Sequence, residues 1–294
     1  MKHRVATLTL LLPELSRVER TPRLLHWLAR GDRLPDAKPG REALLRESFE
    51  FIGTSLPVAA LTRSLDANDA ADALWLRADP AFAMADAITG RLMACGEIGL
   101  SQFESDELAR ALRPLFGDAG FALEPTKPSR WYLRCPTGAR LPRFAPPASV
   151  LGDDLMLHLP SGDNERQWRH LFNEAQIILH NHAVNARRAR RDAVPANTVW
   201  FWGAGKLPEW VRAPFTRVAS DDEVTIALAK LAKIPVVERK AALGELAADE
   251  SVLIDATVMP DLGAAKFKSI DLRFASGERI RYKSWHRLRF WRRA

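Results

Sequence analysis

The chain has 294 residues, 47 % hydrophobic and 27 % charged, an ordinary composition for a globular protein of one large domain or two unequal ones. Extended disorder and collagen-like structure are excluded, and two cysteines, Cys95 and Cys135, make neither a disulfide framework nor a thiolate zinc site. The net charge of +7 is local: residues 279–294 carry seven bases and no acid, so the remaining bases equal the 36 acids in number.

Val5–Leu12 is a continuous apolar run that stops at Pro13-Glu14, the pattern of a strand covered on both faces of a parallel sheet. Lys2 and Arg4 precede it, but the run is short and no small-x-small cleavage site follows, so a cytoplasmic location is expected. No other stretch approaches the ~20 apolar residues that span a bilayer. Thr21-Pro22 then supplies a helix cap and first-turn proline. Leu24, Leu25, Trp27 and Leu28 form the apolar face, and Gly31 the stop. A second helix is expected over 41–51 and a strand over 73–76.

Residues 76–135 have the texture of a small α+β unit. Leu92–Cys95 is a predicted strand, and Ser101–Phe116 a helix with Phe103, Leu108, Leu112 and Leu115 inward. Two more strands, 121–123 and 131–133, precede a proline-punctuated linker that contains Pro136, Pro142, Pro146 and Pro147. Beyond it, Trp168, Leu171, Phe172, Ala175, Ile178, Leu179 and His182 mark one face of a helix over 163–181. Strands over 197–202, 215–219 and 252–254 and a helix over 222–231 continue an alternation typical of parallel sheets. A hairpin closes the series, with Ile270, Leu272 and Phe274 alternating with polar residues, a turn at Ser276-Gly277, and Ile280 and Tyr282 on the return. The expected fold is α/β with a mainly parallel sheet, built from 1–75 and 153–294 around an α+β insertion and linker at 76–152.

The densest functional signal runs from Asn173 to Gly205. It joins His180, Asn181, His182 and Asn185 to Arg187, Arg188, Arg190 and Arg191 at the end of a helix. Arginine forks bind phosphate or carboxylate oxygens, whereas the same residues also cap a helix C-terminus for purely structural reasons. His180 and His182 stand two apart and face different sides of a helix, a poor chelate. Gly203-Ala204-Gly205-Lys206 lacks the spacing and the hydroxyl residue of a phosphate loop. Asp79 with Arg77 and Arg91 reads either as a pairing across a substrate cleft or as a surface ion pair, and both cysteines fall on predicted strands as buried apolar groups. The segment RYKSWHRLRFWRR mixes bases with aromatics. That mixture suits single-stranded nucleic acid or an anionic membrane, but it equally suits an edge hairpin with Trp285, Phe290 and Trp291 covering the core. The last reading makes nucleic acid an unexpected partner.

His182-x-x-Asn185-x-x-Arg188, Pro195-Ala196-Asn197 and Gly203-Ala204-Gly205 together resemble a signature of archaeal-type cofactor-independent phosphoglycerate mutases, of the alkaline phosphatase superfamily. The chain more closely resembles the bacterial RpfE-like proteins, through LWLRADPAF (74–82), LFGDAG (115–120), RWYLR (130–134), NEAQIILHNH (173–182), NTVWFWGAG (197–205) and RFWRR (289–293). The resemblance implies an alkaline-phosphatase-like core and a phosphotransferase ancestry. Three positions depart from the mutase pattern: Ala183 replaces a proline, Asp192 a glycine and Trp202 an arginine.

The mutases work through two divalent metals, which need many hard or imidazole ligands to offset their mutual repulsion. In such enzymes the first strand ends in a metal-binding aspartate; here it ends Leu12-Pro13-Glu14-Leu15 and the first aspartate is Asp32. Beyond Gly205 stands one histidine, His286, and the acids singled out as candidate ligands are Asp221, Asp222 and Asp261, with Asp221-Asp222 equally readable as a helix N-cap. The mutases also use a Ser or Thr nucleophile, which Thr54 or Ser55 could mimic, although nothing in the sequence marks either as activated.

The resemblance and its departures imply a catalytically degenerate regulatory protein without a cofactor. It would bind a small phosphorylated or carboxylated metabolite through His182, Asn185, Arg188 and Asn197, with Arg77 and Arg130 from the insertion, and a regulatory protein partner is a further expectation. The alternatives are an active mutase or phosphatase holding Mn²⁺ or Zn²⁺, and a nucleic-acid or membrane-surface binder acting through the basic segment.

Overall fold

A computed structural model describes residues 7–85, 90–238, 250–260 and 267–291. Val5 of the expected first strand, Asp261, Arg292 and Arg293 lie outside the described residues. In chain order the elements begin β1 (Thr7–Leu12), α1 (Pro22–Arg30), β2 (Asp32–Arg33), α2 (Arg41–Ser48), β3 (Glu50–Phe51) and α3 (Val58–Asp66). There follow β4 (Leu74–Ala85), β5 (Gly90–Cys95), α4 (Gln102–Asp118), β6 (Ala122–Lys127), β7 (Arg130–Cys135), α5 (Glu165–His180), α6 (Ala183–Ala189) and β8 (Thr198–Lys206). The series ends β9 (Val211–Arg212), β10 (Arg217–Ala219), α7 (Glu223–Leu231), β11 (Val236–Val237), β12 (Ser251–Asp255), β13 (Ser269–Phe274) and β14 (Arg279–Lys283).

The chain forms two compact units, one from residues 1–54 and 208–294 and the other from 55–207. In the first, a seven-stranded sheet has the order β11-β10-β12-β1-β13-β14-β2. Its first five strands run parallel, and β14 and β2 are antiparallel additions. The expected α/β class with a mainly parallel sheet is therefore what the strands make. β1 lies between β12 and β13, with Leu10 level with Ile254 on one side and Leu272 on the other. Leu8, Leu10, Leu11 and Leu12 are all buried, which is why the sequence here is a solid apolar run with no alternation.

Helix α1 starts where expected: the Thr21 hydroxyl accepts from the Leu24 N–H at 3.2 Å, and Leu24 and Trp27 face inward. The β13–β14 hairpin buries Ile270, Leu272, Phe274, Ile280 and Tyr282 in strict alternation. Their polar neighbours carry cross-strand charge pairs such as Arg281–Asp271, at 2.8 Å.

The second unit is built on a five-stranded antiparallel sheet whose organiser is the twelve-residue β4. One edge of β4 pairs with β7 through 74–77 and with β5 through 81–85, and the other edge pairs with β8. Pairing with β8 brings the chain after residue 153 into this unit, so the unit spans 55–207, wider than the expected 76–152. Helices α4 and α5 pack on each other over an aromatic core of Phe116, Phe121, Trp131, Trp168 and Phe201. The ring centroids of Trp168 lie 4.8 Å from Phe121 and 5.0 Å from Phe201.

Ser101 and Glu104 close a reciprocal capping box at the start of α4. Leu108 and Leu112 face the core as predicted, but Phe103 is 67 % exposed. It lies nine residues before Leu112, two and a half helical turns, and therefore on the opposite face.

Candidate functional site

In an open parallel sheet, ligand sites form at the carboxyl ends of the strands, where side chains of successive loops converge. The first unit has such a place, a cavity of about 370 Å³. Leu12 and Pro13 reach it from the end of β1, Asp255 from β12, Ala275 from β13, Asp221 and Asp222 from the β10–α7 turn, and Arg41 from the first residue of α2.

The polar groups form one network centred on Asp255, whose residue is only 7 % exposed. Its Oδ1 accepts from Arg41 Nη1 at 2.7 Å; its Oδ2 lies within bonding distance of Ser220 Oγ at 2.8 Å, Thr225 Oγ1 at 2.7 Å and Arg41 Nη2. Arg41 Nη2 also lies 3.1 Å from Asp222 Oδ2. Asp222 caps α7, accepting from the Thr225 N–H at 2.8 Å. The Thr225 hydroxyl stands equally near Asp222, at 2.8 Å, so its single proton serves one carboxylate at a time. Burial works against the charge of Arg41, but the hydrogen bond and charge of Asp255, joined by Asp222, raise its pKa above the ordinary arginine value. The guanidinium is therefore a permanent cation fixed between two carboxylates.

Two divalent metals would need six or more free oxygen or imidazole donors within reach of one another. Here the acids are Asp221, Asp222 and Asp255. Among the described residues no histidine or cysteine lines the cavity, and Arg41 occupies both carboxylate oxygens of Asp255 and one of Asp222. Among the described residues no group of three or more His, Cys, Asp and Glu side chains is arranged to hold a metal ion. The described residues do not fit a two-metal centre. Thr54 and Ser55 are both exposed.

The six residues expected to bind an anion all lie in the second unit, and each bonds to the protein itself. Arg188, 1 % exposed, uses Nε on the Val194 carbonyl, Nη1 on Gly99 O and Glu104, and Nη2 on Ile98 O, at 2.6–3.0 Å. Asn185 bridges Leu179 O and Ala196, accepting from the Ala196 N–H at 2.9 Å. His182 caps α6, with Nδ1 accepting from the Val184 N–H. Asn197 pairs with both backbone groups of Ala83.

Arg77 meets Asp79 through two bonds of 2.8 Å. Trp202, where the mutase pattern has arginine, donates to the same Asp79 at 2.7 Å and lies under the Arg77 guanidinium. Arg130 meets Asp66 at 2.7 and 2.9 Å, beside Tyr132 and Lys127. Burial pushes the Asp66 carboxyl up, but the bonds from Lys127 and Tyr132 and the charge of Arg130 outweigh it and hold the pKa below the usual range. The anion-site expectation thus meets a physical obstacle: Arg77, Arg130 and Arg188 each already grip a carboxylate or carbonyl. These residues bind one unit's elements together.

Gly203 and Gly205 have an equally local cause. A Cβ on Gly203, which has a positive φ, would sit 2.8 Å from Val58 Cβ, and one on Gly205 would sit 2.4 Å from Pro57 Cβ, so the glycines let β8 pass the start of α3. Burial pushes the Cys135 thiol up to about 12 and raises that of Cys95 too, which disfavours the thiolate at both.

Sequence reasoning missed Arg41, Ser220 and Thr225 altogether. The one available signal was Asp255, an acid closing the apolar strand Val252–Asp255 of a parallel sheet.

No family model matches the chain. Over 109 residues it is 32 % identical to the probable 2,3-bisphosphoglycerate-independent phosphoglycerate mutase of Geobacter sulfurreducens, covering 37 % of this chain and 27 % of that protein. It is 30 % identical over 108 residues to the 2,3-bisphosphoglycerate-independent phosphoglycerate mutase of Methanosarcina barkeri, covering 34 % of this chain and 27 % of that protein. The matches thus span just over a quarter of the length of these curated relatives. Among solved structures, the cofactor-independent phosphoglycerate mutase of Thermoplasma acidophilum superposes with a TM-score of 0.41 at 16 % identity, over 96 % of this chain and 90 % of that one. The PH0037 protein of Pyrococcus horikoshii gives 0.43 at 15 % identity, over 85 % and 69 %. The sequence matches make the chain a distant relative of the cofactor-independent phosphoglycerate mutases.

Proposed function

We propose that the chain is an RpfE-like protein of the alkaline phosphatase superfamily that has given up the two-metal chemistry of its mutase relatives and acts as a regulatory, non-catalytic protein. One observation supports this reading above the others: Arg41 holds Asp255 and Asp222 at the carboxyl ends of the parallel strands, where a metal-dependent phosphotransferase needs unoccupied donor oxygens. A dication entering there would have to expel a guanidinium already bonded to both carboxylates. The Coulomb gain from the dication is partly offset by the loss of the guanidinium's own pairing.

The same geometry bears on the ligand. With three aspartates to one arginine among the described residues around the cavity, a phosphorylated metabolite would meet net repulsion there. A phosphometabolite bound through His182, Asn185, Arg188, Asn197, Arg77 and Arg130 would have to break the internal bonds of those residues. The regulatory reading therefore favours a neutral small molecule or a protein partner.

Metal analysis of the purified protein, with a coupled phosphoglycerate mutase assay in added Mn²⁺ or Zn²⁺, tests the proposal. Substoichiometric metal and no turnover are expected. Two tightly bound metal ions per chain with turnover of 2- or 3-phosphoglycerate would overturn it and restore the active-mutase reading. A rise in melting temperature with either phosphoglycerate would reinstate an anion site.

A further inference from the structure

The aromatic segment after β14 does not cover the core. Trp285, Leu288, Phe290 and Trp291 are 52, 63, 76 and 68 % exposed, and of residues 284–291 only His286 is buried. Single exposed apolar side chains are normal on a protein surface, but four large ones within seven residues form a patch that calls for a cause.

The patch is held in place. Residues 284–288 form one 3₁₀ turn, with His286 Nδ1 accepting from the Lys283 N–H at 3.3 Å. Arg289 bonds to Asp32 at 2.6 Å and to the Arg30 carbonyl at 3.0 Å, and Arg30 in turn bonds to the Arg287 carbonyl at 2.7 Å. The turn therefore drives one ring inward and fixes its neighbours outward. Arg30, Lys283, Arg287 and Arg289 gather around it with Asp32, four bases to one acid.

We propose that this turn is a docking surface for an anionic lipid bilayer. Tryptophan, phenylalanine and leucine side chains enter the headgroup–acyl boundary, while the surrounding bases meet the negative potential of anionic headgroups. Trp285 and Trp291 suit that boundary because each pairs an apolar ring with an N–H donor. Stacking of single-stranded nucleic acid is the less suited occupant, since it needs free parallel ring faces. The Arg289 guanidinium covers the Trp285 ring at 4.7 Å, Phe290 and Trp291 meet edge to face at 80°, and Leu288 offers no ring. Attachment would be peripheral, since among the described residues no helix is long and apolar enough to cross a membrane. The proposal uses none of the groups around the Asp255 cavity, on which the non-catalytic reading rests.

Co-sedimentation of the full chain with phosphatidylcholine vesicles, with and without phosphatidylserine, tests it. The expected result is binding about tenfold stronger to the phosphatidylserine vesicles, weakening as salt rises. The triple variant W285S/F290S/W291S should lose about tenfold or more of that binding with an unchanged circular dichroism spectrum. Arg287→Glu, which leaves the rings in place, should lose several-fold. The proposal is overturned if neither vesicle is bound, if the triple variant binds as well as the wild type, if oligo(dT) is bound while vesicles are not, or if the patch instead mediates a dimer that ignores lipid.

Discussion

Both units of this chain place arginines against buried acids, yet the two sets differ in what surrounds them. In the second unit the Arg188–Glu104 and Arg77–Asp79 pairs are sealed among strands, helices and aromatic rings, with every member almost wholly buried. In the first unit the Arg41 side chain is 40 % exposed and borders a cavity, with the buried Asp255 behind it. Equal chemistry therefore has unequal meaning. A sealed pair joins elements of a scaffold, whereas a pair at the mouth of a cavity determines what the cavity can admit.

Replacing Arg188 should produce the largest effect. Arg188→Ala strands Glu104 beside a half-exposed Arg191 and leaves three carbonyls without their donor, so a loss of about 3–5 kcal/mol is expected in urea unfolding. A loss under about 1 kcal/mol would mean that solvent reaches the site and that the scaffold reading is wrong.

Acid titration probes the same unit more broadly. Asp66 and Glu104 both have pKa values below the ordinary carboxylate range. Burial opposes this in each; Lys127, Tyr132 and Arg130 outweigh it at Asp66, and the Ser101 backbone, Arg188 and Arg191 at Glu104. A depressed folded-state pKa gives stability that is complete above the unfolded-state value, about 4, and is lost as pH falls through the folded-state value. The urea midpoint, followed by tryptophan fluorescence, should therefore hold from neutral pH to about 5 and decline steadily below 4. A midpoint that rises on acidification would contradict the assignment.

Arg41→Ala should cost less, about 1–2 kcal/mol, because solvent already reaches the guanidinium and can hydrate the carboxylates it leaves. The same variant should gain melting temperature on adding Mn²⁺, which the wild type should not, since Asp222 and Asp255 then face the cavity without a cation. At the small end, Trp285→Ser should change stability by less than about 0.5 kcal/mol, in contrast to the sealed aromatics around Trp168.

Much of the fold was legible because burial periodicity records it directly. β1, α1, α5, α7 and the β13–β14 hairpin follow from apolar runs, caps and alternation. Helix α3 escaped because all of the first six residues of Val58–Asp66 are buried, so that no polar face alternates with the apolar one. The candidate site was the least legible part. Asn185, Arg188 and Asn197 were visible as hydrogen-bonding residues near small ones, but whether a fork meets a ligand or a carbonyl depends on which chain segments fold against it. Asp255 meets Arg41 across 214 residues of sequence. No local pattern encodes that meeting, and only the parallel sheet and the start of α2 bring it about.

Electron paramagnetic resonance of Mn²⁺ titrated against the wild type and Arg41→Ala in parallel addresses the claim that Arg41 excludes metal from the acid cluster. The predicted outcome is that the six-line signal of the aqueous ion stays at full intensity with the wild type and is diminished by Arg41→Ala. Loss of signal equivalent to two ions per wild-type chain would contradict the claim and return the protein to the metal-dependent phosphotransferases.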